Sequence, residues 1–344
     1  MKQEYLRWAI ENTPTVWWND SIEPGELARG ISRGAVGATS NPFLSNVALG
    51  ANRQSWSGEI EAALAPHPKG EEKAEALMRI AVTHAANDLR PHYEQSDKRM
   101  GYVCAQVSPA KAGDREPMLA AARRFSQWAP NIAVKLPATA AGIDVLEACA
   151  AEGITTALTI SYTVPQVLAV AEAYRRGIAK ARSAGAEPGK CFAVIMIGRL
   201  DDYLRDLAHD AQADIGESDI RQAGLAVTKR AYSILRKESY EVALIVAALR
   251  GTHHMTELAG AEIVMSIAPP CQEKLLSPEL PHEERIDLDV PKETIERLSR
   301  LPEFVRAYEP DGMKPSEFIA YGVTQRTLTQ FHESGWKLLE NFRE

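Results

Sequence analysis

The chain predicts a single α/β domain over residues 1–344, built as a (β/α)₈ barrel with extra helices after the second strand and at the C-terminus. Three observations predict it. Eight short strand-like segments follow one another in order. Several are near-continuous apolar runs, such as Ala193-Val-Ile-Met-Ile197 and Ala243-Leu-Ile-Val-Ala247, which suit parallel strands covered on both faces. Between them lie segments with helical spacing, and strand-then-helix text repeated over about 250 residues is the barrel pattern. A doubly wound open sheet competes, but its Gly-x-Gly-x-x-Gly turn is absent.

The first strand is read at Thr15–Asp20, where Thr-Val-Trp-Trp is strongly strand-forming. The second is Ala35–Ser40, ended by Asn41-Pro42. About sixty residues then intervene, with a helix over Glu71–Asp88. The third strand, Gly101–Ser108, is followed by a helix at Met118–Trp128. The fourth, Ile132–Ala138, leads to a helix at Ile143–Glu152, and the fifth, Thr155–Ser161, to one at Val164–Ala184. The sixth, Cys191–Arg199, precedes a helix at Ile220–Lys237. Val242–Leu249 and Glu262–Ala268 are the seventh and eighth strands. The Pro-rich, charged text after Pro269 predicts an ordered surface loop. The tail from Pro315 to Phe342 is helical and amphipathic, with Phe318, Tyr321, Leu328, Phe331 and Leu338 at helical intervals. It is expected to cover a barrel end of its own subunit, or to pack between subunits of a homo-oligomer.

Composition is that of an ordinary globular protein: 45% hydrophobic and 25% charged. A net charge of -7 argues against nucleic acid or an anionic membrane as partner, and leaves room for a local basic pocket. The apolar run Val242–Leu249 is too short to span a bilayer. The N-terminal text lacks the apolar core of a signal peptide. Cys104, Cys149, Cys191 and Cys271 are widely spaced, without Cys-x-x-Cys, which fits free thiols and a cytoplasmic setting.

Lys135 is the residue most out of place. It interrupts Asn131-Ile-Ala-Val-Lys-Leu-Pro-Ala138, an apolar run with the bounds of a buried strand. Alternation puts Ala133, Lys135 and Pro137 on one side and Val134 and Leu136 on the other. Burying an ammonium is costly, so the group tends to give up its proton, and a neutral lysine amine forms Schiff bases with carbonyls. A structural ion pair is the competing reading. In a barrel the C-terminal strand ends carry the chemistry. Those positions hold Asp20, Asn41, Gln106, Lys135, Thr159, Arg199 and Arg250, one from each of seven strands. Each has a plainer alternative. Asp20 could cap the next segment, Asn41-Pro42 could be only a turn, Thr159 only a strand former, and the arginines surface ion-pair partners. Asp201 and Asp202 read as helix-start residues. His253 and His254 are adjacent, and no His-x-x-x-His spacing occurs, so no metal site is expected.

Gly37-Ala-Thr-Ser-Asn-Pro42 resembles the Gly-Val-Thr-Thr/Ser-Asn-Pro signature of the transaldolases. Val134-Lys-Leu-Pro-Ala-Thr-Ala-Ala-Gly-Ile143 is similar to their Schiff-base motif. Glu152-Gly-Ile-Thr-Thr-Ala-Leu-Thr159 and Gly198-Arg-Leu-Asp201 resemble two further motifs, in order. The text Val16–Leu27 is most similar to the longer transaldolases. The resemblance implies a cofactor-free class I aldol enzyme acting on a sugar phosphate, with a place in the pentose phosphate pathway. It implies that Lys135 attacks the ketose carbonyl and that Asp20 transfers a proton during cleavage. Asn41 and Thr159 would hold the three-carbon unit and a catalytic water, and Arg199 and Arg250 the phosphate.

The shell departs from the family pattern. Gln106 stands where transaldolases carry Glu, Ala157 where they carry Asn, Val194 and Met196 where they carry Ser and Phe, and Ala248 where they carry Ser. Fructose 6-phosphate aldolases also carry Gln at the Gln106 position, but they have Tyr where this chain has Met196. Met196 therefore gives the substrate site a more apolar wall, and a modified sugar is one expected substrate. Cleavage without transfer, and a weakened sugar-phosphate-binding homologue, are the alternatives. A nicotinamide enzyme is disfavoured, because no nucleotide fingerprint is present.

Overall fold

The computed structural model describes residues 3–66 and 69–343. Among these residues seven strands form one parallel sheet: β1 (Val16–Asn19), β2 (Val103–Gln106), β3 (Ile132–Pro137), β4 (Thr156–Thr159), β5 (Cys191–Met196), β6 (Ala243–Ala247) and β7 (Val264–Ile267). Their order across the sheet is β1-β7-β6-β5-β4-β3-β2, every neighbour pair being parallel. The strand segments read from sequence all contain these strands except the second. There, only Ala38 pairs, bridging to Asn19 of β1 and Val103 of β2. Backbone hydrogen bonds flank the bridge on both sides: Val36 N–H to Trp17 O, and Cys104 N–H to Ala38 O. Gly37 explains the brevity. A Cβ there would stand 2.6 Å from the Trp18 indole, so only glycine fits, and glycine is a poor strand former. Asn41 then starts the helix Pro42–Ala51 at once.

Side-chain alternation along β5 divides the space inside the curled sheet. Phe192 packs edge-on against Trp18 and Tyr102, with ring centroids 4.8 and 5.5 Å away. Val194 and Met196, on the same face two and four residues on, line a cavity instead. An aromatic plug thus closes the end near the strand starts, and the cavity opens at the strand ends. Helices cover the sheet, among them Ala140–Ala151 and Val164–Ser183, which begin on threonine caps: Thr139 and Thr163 Oγ1 accept from Gly142 and Gln166 N–H.

Two further segments differ from the sequence reading. The sixth expected strand ends at Met196, and a helix runs Ile197–Asp210, so Arg199 lies in a first helical turn rather than on a strand. Asp201 and Asp202 consequently sit inside that helix. The text after the last strand is not all loop, since Pro269–Leu275 is helical. The tail is helical, as expected, in the segments Pro315–Phe318, Gly322–Phe331 and Lys337–Glu340, with a π-helical turn at His332–Trp336. Tyr162 donates its hydroxyl to Thr327 at 2.5 Å, and Lys73 Nζ donates to Phe342 O at 2.7 Å, pinning the tail. Cys104, Cys149 and Cys191 are buried free thiols and Cys271 is half-buried. Among the described residues no helix is long and apolar enough to cross a membrane.

Candidate active site

The cavity at the strand ends holds about 190 Å³. Lys135 reaches it from β3, and the register sets it beside Gln106 of β2 and Ala157 of β4. Its Nζ donates to Ser40 O at 3.0 Å. The residue is 7% exposed. Burial pulls the ammonium's pKa below its ordinary value. The neighbouring Cys104 and Asp20 oppose that shift, and Arg199 adds to it. No carboxylate forms an ion pair with it within 4 Å among the described residues, so the structural ion-pair alternative is not what the geometry gives.

Asp20 follows β1 and lines the same cavity. It does not cap the next helix, Pro24–Ser32, where Glu23 accepts from Glu26 N–H. Its Oδ1 instead accepts from the Thr39 hydroxyl at 2.6 Å, and Thr39 Oγ1 lies 2.6 Å from Ser266 Oγ on β7. Because Thr39 spends its one proton on Asp20, Ser266 is the donor in the second bond. Asn41 lines the cavity and also caps Pro42–Ala51, with Oδ1 accepting from Leu44 N–H.

Thr159 ends β4 on the cavity wall, its hydroxyl 3.7 Å from Met196 Sδ. The next residue, Ile160, has φ +57°, a left-handed conformation that a β-branched residue rarely takes. Ala248 (φ +60°) marks the end of β6 in the same way. Ala248 lines the cavity, and Ile160 directly follows Thr159, which does. Cys104, Val194, Met196, Ala247, Ala248 and Phe331 make the wall largely apolar. Burial pushes the Cys104 thiol up to about 11, so it stays protonated at neutral pH.

Arg199 and Arg250 close the cavity and also line a second chamber of about 280 Å³. Arg199 Nη1 donates to Gln330 Oε1 at 2.6 Å, its guanidinium lies over the Phe331 ring, and its Nε is buried without a partner. Burial lowers its pKa. Arg250 is the ion-pair partner that the sequence left open, bound to Asp202. Gln106 is buried with its Oε1 unpartnered and does not line the cavity.

Thr39, Ser266, Phe331 and Asp202 were not singled out from sequence. Ser266 had a signal, since it lies on the one strand whose end contributed no candidate. Asp201, His253 and His254 do gather within ligand distance of one another. Their polar atoms are largely spent on protein: His254 Nε2 pairs with Asp201 Oδ2 at 2.9 Å, and His254 Nδ1 accepts from Arg250 N–H.

The pattern of the Transaldolase/Fructose-6-phosphate aldolase family matches residues 17–340. The chain belongs to this family. Transaldolase 2 of Nostoc sp. is 32% identical over 216 residues, covering 61% of this chain and 56% of that protein. A transaldolase of Neisseria gonorrhoeae is 32% identical over 187 residues, covering 53% of each chain. One of Thiobacillus denitrificans is 31% identical over 244 residues, covering 67% of this chain and 66% of its own. The matches thus span about half to two thirds of the length of these relatives. In this chain the cavity brings Lys135 and Asp20 together with the apolar side chains of Val194, Met196 and Ala248.

Proposed function

We propose that the protein is a transaldolase-type class I aldol enzyme. The observation that carries this reading is the buried, ion-unpaired Lys135 amine in one small cavity with the Asp20 carboxylate. The neutral amine adds to the C2 carbonyl of a ketose phosphate, and loss of water gives a protonated imine. The C3–C4 bond then breaks. Its electron pair flows into the imine to give an enamine, while Asp20 takes the C4 hydroxyl proton and an aldehyde leaves. The Ser266–Thr39 hydroxyl pair holds the Asp20 carboxylate in place for that transfer. Asn41 and Thr159 orient the three-carbon unit. Arg199 and Arg250 face the phosphate end.

The enamine has two fates. Attack on a second aldehyde gives transfer. Protonation and hydrolysis release dihydroxyacetone. The apolar wall of Val194, Met196 and Ala248 favours slow hydrolysis and a substrate less hydroxylated than a standard ketose. No metal or organic cofactor is required. The same reading makes Ala38 the remnant of an eighth strand that closes a (β/α)₈ barrel, all in one domain. It also places the protein in the cytoplasm as a sugar-phosphate enzyme, whether alone or as a homo-oligomer.

Fructose 6-phosphate and a panel of deoxy and amino ketose phosphates, each with and without erythrose 4-phosphate, test the proposal. Aldehyde-dependent product, lost in Lys135→Met, is the expected outcome. Dihydroxyacetone formed at the same rate without acceptor would assign cleavage instead of transfer. Turnover unchanged in Lys135→Met would overturn both.

A further inference from the structure

We propose that Asp202 sets the enzyme's affinity and selectivity for the charged end of its substrate, by holding a negative charge against Arg250. The inference rests on the aldol reading for the substrate's orientation, but its test does not depend on turnover.

Arg250 has little free hydrogen-bonding capacity. Its Nε donates to Asp202 Oδ2 at 2.8 Å, and its Nη2 reaches the same oxygen at 2.8 Å. Its Nη1 donates to Ala248 O at 2.9 Å. The side fork of the guanidinium, one of the edges that fits two phosphate oxygens, is therefore already taken by a carboxylate. Asp202 is itself held from behind. Its Oδ1 accepts from Arg205 Nη1 at 2.9 Å, and Arg205 gives Nε and Nη2 to Glu217 at 2.8 and 2.9 Å. The row Glu217, Arg205, Asp202, Arg250 alternates in sign and sums to zero. Arg199 differs: no carboxylate pairs with it among the described residues, and its Nε is buried without a partner.

The two arginines form the wall shared by the inner cavity and the outer chamber, and Asp202 stands on the outer side only. A dianion placed between them meets one uncompensated guanidinium and one already neutralised. It also stands a few ångströms from the Asp202 carboxylate, where like charges repel appreciably even through partly solvated protein. Ala248 adds no hydroxyl to offset this. Such a site discriminates against doubly charged ends and admits singly charged or neutral ones more readily than two free arginines would. Asp202 acts through Arg250 and is a specificity-determining residue, not a catalytic one.

Inorganic phosphate is the probe, titrated calorimetrically into the full chain at low ionic strength, beside its Asp202→Asn and Arg205→Gln variants. Asparagine removes the charge and keeps one acceptor oxygen for Arg250, at the cost of the acceptor facing Arg205, so phosphate should bind about tenfold more tightly. Arg205→Gln leaves Asp202 less compensated and should weaken binding. The two opposite shifts separate a charge effect from general damage, which would weaken both. Equal or weaker binding by Asp202→Asn, or no phosphate binding by any of the three proteins, overturns the inference. Where the aldol reading holds, KM for fructose 6-phosphate should fall in Asp202→Asn with little change in kcat. Reductive trapping of Lys135 reports on the aldol reading separately.

Discussion

Burial makes Lys135 costly to the fold. Its ammonium pKa is lowered by burial, so the native state holds this proton less tightly than the unfolded chain does. The penalty is absent at high pH, where both states are neutral. It grows as pH falls below the unfolded lysine value near 10.4 and is complete below the native value. Replacing Lys135 by Met should therefore stabilise the protein at pH 7 by about 1–2 kcal/mol, a gain that shrinks toward pH 10.5. Urea melts of both proteins across that range check this, and a variant less stable than wild type at pH 7 would contradict it. At this scale much was legible in the sequence. A charge inside an apolar strand is a local anomaly, and strand alternation gives its direction. Thr39 and Ser266 were not legible, because hydroxyls are ordinary in such segments and this pair is 227 residues apart. Asp202 was hidden by a plausible role as a helix-start residue.

Among the elements, the helix Gly322–Phe331 bears most on the site, because its last residue seals the cavity while Gln330 holds Arg199. Phe331 is 7% exposed and lies under the Arg199 guanidinium. Phe331→Ala should cost roughly 3 kcal/mol of stability from the cavity it leaves. It should also admit water to the imine and raise hydrolysis relative to transfer. Denaturant melts and the ratio of dihydroxyacetone released to carbon transferred measure the two effects, and an unchanged ratio would remove Phe331 from the site. The apolar spacing made this tail legible as an amphipathic helix but not where it docks, since periodicity is a property of one element and docking of two. Element ends were less legible. Nothing in Met196-Ile-Gly-Arg199 signals a change from strand to helix: Met196 makes no side-chain cap, and the apolar run reads straight through it. The second strand was over-read because the requirement for Gly37 comes from Trp18, a residue on another strand.

For the whole molecule, the parallel sheet was legible because strands buried on both faces need continuous apolar runs, whatever the details of their ends. The sheet brings Asp20, Lys135, Thr159 and Met196 together from four strands, and the tail closes over them. On the proposed reading, this convergence makes Lys135 a working nucleophile. The direct measurement is borohydride trapping in the presence of fructose 6-phosphate and the modified ketose phosphates, followed by intact mass and peptide mapping. A reduced three- or six-carbon adduct is expected on the peptide bearing Lys135, absent from Lys135→Met. Failure of every ketose phosphate to leave an adduct, or an adduct on another lysine, would contradict it.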